Sequence, residues 1–367
     1  MSGAGAPSGR RTGPAGTLIS SGNGKTTGRV PIRAVVIEDS PAQRSHLVRI
    51  LEADGDIEVV GLATTAGEAV DLVGRIRPDV VALGLQARDA RGKDTIEQIM
   101  ACTPTAILAL CPAPEGPYSV PALDALSAGA LDVLPKPSSW ATADEAQLRR
   151  CLRSLHKVGT VHPPRARTAR SAAPWVPPTA SPVVALAAST GGPRALAEVL
   201  SGLADLDAPV LVVQQIHPDF VPGLVTWMAR ACPLPVELAR HGDPAVAGRV
   251  YIAGGGLHLR LDARRRLALS ALPVTIHRPS ADELLRSVAE HAGAAGIGVV
   301  LTGMGDDGAQ GLLALRQRGG RTLAQDEATS AVFGMPSASQ RLGAVKELLA
   351  LGDIAPAVMR AVRERRA

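Results

Sequence analysis

Three short stretches of the chain end an apolar run on residues able to do chemistry. In VVALAASTGGPRAL, Ser189 follows a strand-like run and precedes a helix-like one, with Gly191 and Gly192 permitting close approach and Pro193 suited to a first helical turn. A serine so placed can serve as a nucleophile whose oxyanion is stabilised by helix N-terminal amides. The same segment also reads as a glycine-rich anion cradle or as a plain N-cap serine, and it is neither GxGxxG nor GxSxG. In VVLTGMGDDGAQG a second strand ends in a glycine loop carrying Asp306 and Asp307. In a parallel sheet that strand finishes on the same carboxyl edge as Ser189, where an acid can orient an imidazole. A third strand edge, VVQQIHPDF, delivers Gln215 and His217.

A separate set of polar residues lies nearer the N-terminus. RAVVIEDS ends a β-branched run on Glu38 and Asp39, and Lys136 in LPKP ends a later one, where its ammonium can reach a phosphate held over a sheet. Four cysteines, Cys102, Cys111, Cys151 and Cys232, form no CxxC pair and have no histidine at metal-ligand spacing, which points to a reducing compartment.

The elements that must position these residues alternate along the chain. Apolar runs of strand length, EVVGLA, PDVVALGL, TAILALC and LDVLPKP, are separated by helical patterns, and five such alternations make an open parallel sheet. A Pro-, Arg- and Ser-rich stretch, 159–182, reads as a linker, and residues 1–30, rich in Gly, Ser, Thr and Pro, as a disordered tail. From Val183 the alternation resumes, with a hairpin-like region in RVYIA and LHLRLD. The expected organisation is a domain over 31–158 and another over 183–367.

At 367 residues the chain has room for two cores. Hydrophobic residues make up 46% and aromatic residues only 2%, so these cores must be built from Ala, Val, Leu and Ile, which suits parallel strands under Ala- and Leu-rich helices. The net charge of +5 is concentrated in the termini without an aromatic-interleaved basic stripe, so nucleic acid is not implied. No apolar run reaches membrane-spanning length, and the expectation is a cytoplasmic protein without membrane insertion.

The first domain resembles response-regulator receiver domains, of flavodoxin-like fold. In that family an acid pair binds Mg²⁺, an aspartate ending strand three accepts phosphate, a hydroxyl residue ends strand four and a lysine ends strand five. Glu38, Asp39 and Lys136 match. The strand-three position is Gly84 and the strand-four position is Cys111. Glycine has no carboxylate to phosphorylate or to offer Mg²⁺, so Mg²⁺ at Glu38 and Asp39 is at most weakly held and the domain is expected to be a pseudo-receiver. Asp89 and Asp94 are the nearest alternative acceptors, and neither sits at a strand end.

The three C-terminal signals, with GRVYIAGGGLHLRL, IHRPSADELLRSVA and RTLAQDEATSAVFGMPSAS, resemble the catalytic domain of chemotaxis protein-glutamate methylesterases, a Rossmann-like three-layer α/β/α fold. The resemblance implies Ser189 as nucleophile, Asp307 as triad acid with Asp306 in a variable slot, and Thr190 and Met304 at the oxyanion site, acting without a cofactor. It also implies methyl-accepting chemotaxis receptors as substrates, through ester hydrolysis and glutamine deamidation, and a histidine kinase that docks without phosphotransfer. The departure is Gln215, at the place of the family's catalytic histidine. An amide gains no proton near neutral pH, and the nearest candidate base is His217, two residues on. His258 and His277 fall in other family motifs. Three readings remain: a working hydrolase with a replacement base, a decayed binding relative, and a nucleotide-binding α/β protein.

Overall fold

The computed structural model describes residues 17–18, 30–85, 91–112, 120–137, 139–156 and 181–365. The proposed linker, apart from Ser181 and Pro182, most of the proposed tail and Asp89 lie outside these residues. Two open α/β sheets stand in sequence along the chain.

The first sheet has the order β1-β3-β2-β4-β5-β6. Its parallel strands are β2 (Ile32–Ile37), β3 (Ile57–Ala63), β4 (Val80–Gly84), β5 (Ala106–Pro112) and β6 (Asp132–Lys136), and β1 (Thr17–Leu18) adds a short antiparallel edge to β3. Helices α1 (Pro41–Glu52), α2 (Ala66–Ile76), α3 (Arg91–Cys102), α4 (Val120–Ala128) and α5 (Thr142–Leu155) cover its faces. Ser40 and Thr65 cap α1 and α2, each accepting a backbone N–H of the first turn. Side chains alternate as a strand demands: Val35, Ile37, Val81 and Leu83 enter one core, Ala34, Val36, Val80 and Ala82 the other. Glu38, Gly84 and Lys136 therefore meet at one carboxyl edge.

The second sheet is parallel throughout, in the order β15-β14-β13-β7-β8-β10-β9. Its strands are β7 (Val183–Ala188), β8 (Val210–Gln214), β9 (Val236–Leu238), β10 (Val250–Ile252), β13 (Gly296–Val300), β14 (Arg321–Gln325) and β15 (Glu347–Leu349). On one face α6 (Gly192–Ser201), α7 (Val221–Ala231) and α11 (Leu351–Glu364) close a core with Leu186, Ala188 and Val212. On the other, α8 (Ala281–His291) and α9 (Ala309–Gln317) close one with Ala187 and Val213, while α10 (Met335–Arg341) lies at the C-terminal edge. The hairpin falls one strand later than the sequence suggests: RVYI is the parallel strand β10, and β11 (His258–Leu261) pairs with β12 (Leu267–Ser270). Its turn contains no glycine, and Arg265 supplies the positive φ of 58°, which hides the turn from a glycine-based search.

The two units touch. Phe220, in a 3₁₀ turn over Pro218–Phe220, is buried in the first domain's core, and a Cβ on Gly223 of α7 would lie 3.0 Å from Leu123 of α4.

Candidate active site

The register of β7 and β8 pairs Ala188 with Gln214, and the ladder runs on through the Gln215 N–H donating to the Ala188 carbonyl at 2.9 Å. Period two then carries Ser189 and Gln215 to the face of Ala187 and Val213, the side of α8 and α9. Gln214 turns to the opposite face and donates from Nε2 to the Ser189 carbonyl at 2.8 Å. The turn after Ser189 is tightly built. Its N–H donates to the Thr302 carbonyl at 3.1 Å, and the Thr302 hydroxyl donates to the Thr190 carbonyl at 2.9 Å. Gly191 has φ of 75° and Gly303 has no room for a Cβ, which would meet the Met335 sulfur and come within 2.8 Å of the Ser189 Cβ.

Asp307 is held by four donors. Oδ1 accepts from the Ser280 hydroxyl at 2.8 Å and the Asp282 N–H at 2.9 Å; Oδ2 accepts from the Ala281 N–H at 2.7 Å and from Gln215 Nε2 at 2.6 Å. Two of the donors are first-turn amides of α8, so the carboxylate rests on that helix's positive end. Asp282 returns the favour, its Oδ1 accepting from Gly308 and Gly311 at 2.9 and 2.7 Å. Burial, and then the charge of Asp307, raise the Asp282 carboxyl above its ordinary range.

Ser280 is placed in turn by His258, which is fully buried. The Ser280 N–H donates to Nδ1 at 3.2 Å, so Nε2 carries the proton and donates to the Pro273 carbonyl at 2.9 Å. Sequence reasoning left Ser280 and His258 without a role in the site. The S-A-D-E run at 280–283 is a capping-box pattern that marks a helix start, and it was the signal available.

The group that meets the acid is thus Gln215, and its Oε1 is buried without a hydrogen-bond partner. His217 is not brought to this cluster. It caps the 3₁₀ turn, with Nδ1 accepting from the Asp219 N–H at 3.4 Å and lying 3.4 Å from the Asp219 carboxylate, and its side chain is 40% exposed. Pro218 begins the turn, so the chain leaves the sheet just as residue 217 would have pointed back to the serine. His277 is exposed, on the loop before Ser280. Asp306 is exposed beside Asp307.

The remaining site positions face the first domain. The Thr190 hydroxyl donates to Asp132 at the start of β6, and Ser154 of α5 donates to the Met304 sulfur at 2.9 Å. Burial pushes the Asp132 carboxyl up to about 7, against the hydrogen bonds from Val133 and Thr190 that lower it.

The edge carrying Gly84 is arranged differently. Lys136 Nζ donates to Glu38 Oε2 at 2.6 Å and the Ser40 N–H donates to Oε1 at 3.2 Å. A Cβ on Gly84 would run into that same Oε2. Glu38 has taken the space where a side chain at 84 would stand. With Glu38 so engaged and Gly84 offering no donor, the oxygen set does not fit octahedral Mg²⁺, and among the described residues no group of three His, Cys, Asp or Glu could hold a metal. Asp39 is exposed, and Asp94 is exposed on the first turn of α3. Cys111 is fully buried, its thiol pushed up to about 12 by that burial, so it offers neither a hydroxyl nor a thiolate.

A parallel α/β domain with a serine turn and an anchored acid at one carboxyl edge, joined to a receiver-type fold, defines the class as a hydrolase-type domain coupled to a signalling module. Residues 184–358 match the family model described as CheB methylesterase, and residues 34–146 match the response regulator receiver domain. The protein-glutamate methylesterase/protein-glutamine glutaminase 2 of Anaeromyxobacter dehalogenans (strain 2CP-C) is 45% identical over 340 residues, covering 91% of this chain and 97% of that one. The enzyme numbered 4 of Myxococcus xanthus (strain DK1622) is 42% identical over 345 residues, covering 91% and 98%. The crystal structure of the Thermotoga maritima CheB methylesterase catalytic domain is 32% identical, with a TM-score of 0.48, over 50% of this chain and 98% of that chain. The chain belongs to the CheB methylesterase family.

Proposed function

We propose that the chain is a protein-glutamate methylesterase and glutaminase, as its relatives are named, that its substrates are the modified glutamyl side chains of methyl-accepting chemotaxis receptors, and that Ser189 is the nucleophile, with turnover held low by an amide at the base position. Ser189 Oγ attacks the ester or amide carbonyl carbon as its proton passes to solvent, the leaving group takes up a proton from solvent and departs as methanol or ammonia, and water then cleaves the acyl-serine to give a glutamate carboxylate and the free serine hydroxyl. The oxyanion is held at the turn of Thr190 and Gly191 that leads into α6, with Met304 beside it.

The observation that carries this reading is the 2.6 Å bond from Gln215 Nε2 to Asp307. It supports reading residue 215 as the position of an imidazole oriented by the acid, occupied in this chain by a group that takes no proton. Removal of one triad member leaves roughly 10³ to 10⁴-fold acceleration over water from the rest of the site. The same bond favours a second reading, in which the chain binds a receptor or a signalling partner and hydrolyses little. The Glu38–Lys136 pair agrees with it, because a first domain without a free acceptor carboxylate can dock a histidine kinase without taking phosphate.

No helix among the described residues is long and apolar enough to cross a membrane. Methanol release from a methyl-esterified receptor fragment tests the proposal. Slow release by the wild-type chain that disappears in Ser189→Ala supports the hydrolase; receptor binding with release equal to Ser189→Ala supports the binding module.

A further inference from the structure

Eight large apolar residues among the described ones are exposed, and five of them, Leu238, Leu257, Leu272, Val274 and Ile276, belong to one region. The β11–β12 register pairs His258 with Ser270, so Leu257 and the segment entering Leu272 leave the hairpin side by side. A Cβ on Gly254 would lie 3.9 Å from Leu238, which joins the end of β9 to the same surface. The exposures rise along the loop, 65% at Leu272, 76% at Val274 and 97% at Ile276.

This loop is held in place. His258 bonds the Pro273 carbonyl at 2.9 Å and the Ser280 N–H at 3.2 Å, pinning both ends with one buried ring. Ser270 Oγ lies 2.9 Å from the Leu272 carbonyl and 3.0 Å from its N–H, and the Thr275 hydroxyl reaches the His277 carbonyl at 2.5 Å. A row of apolar side chains fixed in water by its own hydrogen bonds is a surface that awaits a partner. It also adjoins the reaction: Ser280, which ends the loop, bonds Asp307.

Two exposed arginines lie close to it in the chain, Arg240 two residues past Leu238 and Arg278 two residues past Ile276. Neither forms an ion pair among the described residues. The acids following the loop are already engaged, Asp282 with Arg286 and Glu283 with Arg260 and Arg286.

We propose that this lip docks the acidic, amphipathic protein segment that carries the modified glutamyl side chain. Its apolar residues cover Leu272, Val274 and Ile276, and its carboxylates meet Arg240 and Arg278. The proposal rests on the methylesterase reading for the identity of the segment, and the surface's place beside Asp307 favours a substrate segment over a membrane or a second copy of the chain.

The test uses the full chain and a fluorescent amphipathic peptide rich in glutamate with one glutamyl methyl ester, beside a counterpart with lysine for glutamate. Leu272→Ser/Val274→Ser/Ile276→Ser and Arg240→Glu/Arg278→Glu are each expected to weaken binding of the acidic peptide at least about tenfold. Both should keep the wild-type circular dichroism and the wild-type rate on p-nitrophenyl acetate, whether that rate is measurable or at background, and the lysine peptide should not bind. Binding with no Ser189-dependent hydrolysis of either ester retains the surface and removes the hydrolase reading. The proposal is overturned if the acidic peptide fails to bind the wild type, if either variant binds it unchanged, or if the serine variant instead abolishes a dimer or binding to phosphatidylglycerol vesicles.

Discussion

On the proposed reading, the receiver pocket and the hydrolase cleft each carry an unsuitable residue at a position their chemistry depends on, and their surroundings accommodate it in opposite ways. At Gly84 there is no side chain, and Glu38 occupies that space and pairs with Lys136, so the acid and the ammonium of the pocket are committed to each other. Gln215 is nearly the size of an imidazole and bonds the acid, so on the proposed reading the cleft has the geometry of the site without its titratable group. A deleted side chain invites its neighbours in, whereas an isosteric polar one preserves the frame around it. Restoring one residue should therefore rescue the cleft and not the pocket.

The largest expected effect tests that asymmetry. Gln215→His should raise ester hydrolysis by about 10² to 10⁴-fold, the range a positioned general base supplies. Gly84→Asp should leave acetyl-phosphate labelling absent, because its side chain meets the Glu38 carboxylate; stable labelling would erase the contrast. Next comes the Glu38–Lys136 pair, whose side chains are 1% and 12% exposed. Lys136→Met leaves a buried carboxylate unpaired and should cost about 3 to 5 kcal/mol of first-domain stability by urea unfolding.

Asp132 comes third. Its folded value, about 7, lies above the unfolded carboxylate range. Below about pH 4 both states are protonated and its contribution is fully present. As pH rises the unfolded chain ionises first, so stability falls until Asp132 itself ionises near 7, by roughly 4 kcal/mol in all. Asp132→Asn should flatten that decline, read as the difference in melting temperature between pH 5 and pH 8. The smallest effect is at Ser280: Ser280→Ala removes the α8 cap and one donor to Asp307, and should lower stability by about 1 kcal/mol.

Much of this was legible in the sequence, for stated reasons. Apolar runs ending in Ser189, Gln215 and Asp307 placed all three on one carboxyl edge, because strand periodicity and parallel topology are local properties read from letters. The departure of His217 depended on where Pro218 begins its turn, and so needed coordinates. The roles of His258 and Ser280 are set by contacts across 22 residues and between loops, which spacing does not report. That Glu38 would occupy the space over Gly84 is a matter of side-chain conformation, and the contacts of Asp132 and Ser154 with the cleft depend on how the two domains meet.

The most direct test of an amide at the base position is the pH dependence of ester hydrolysis between pH 5 and pH 9. The wild-type chain should show no limb that depends on a histidine, any change near pH 7 being lost in Asp132→Asn, while Gln215→His should gain a limb near the imidazole value of about 6.5. A wild-type limb near pH 6.5 that His217→Gln abolishes would contradict the account, because a histidine would then be taking the proton from Ser189.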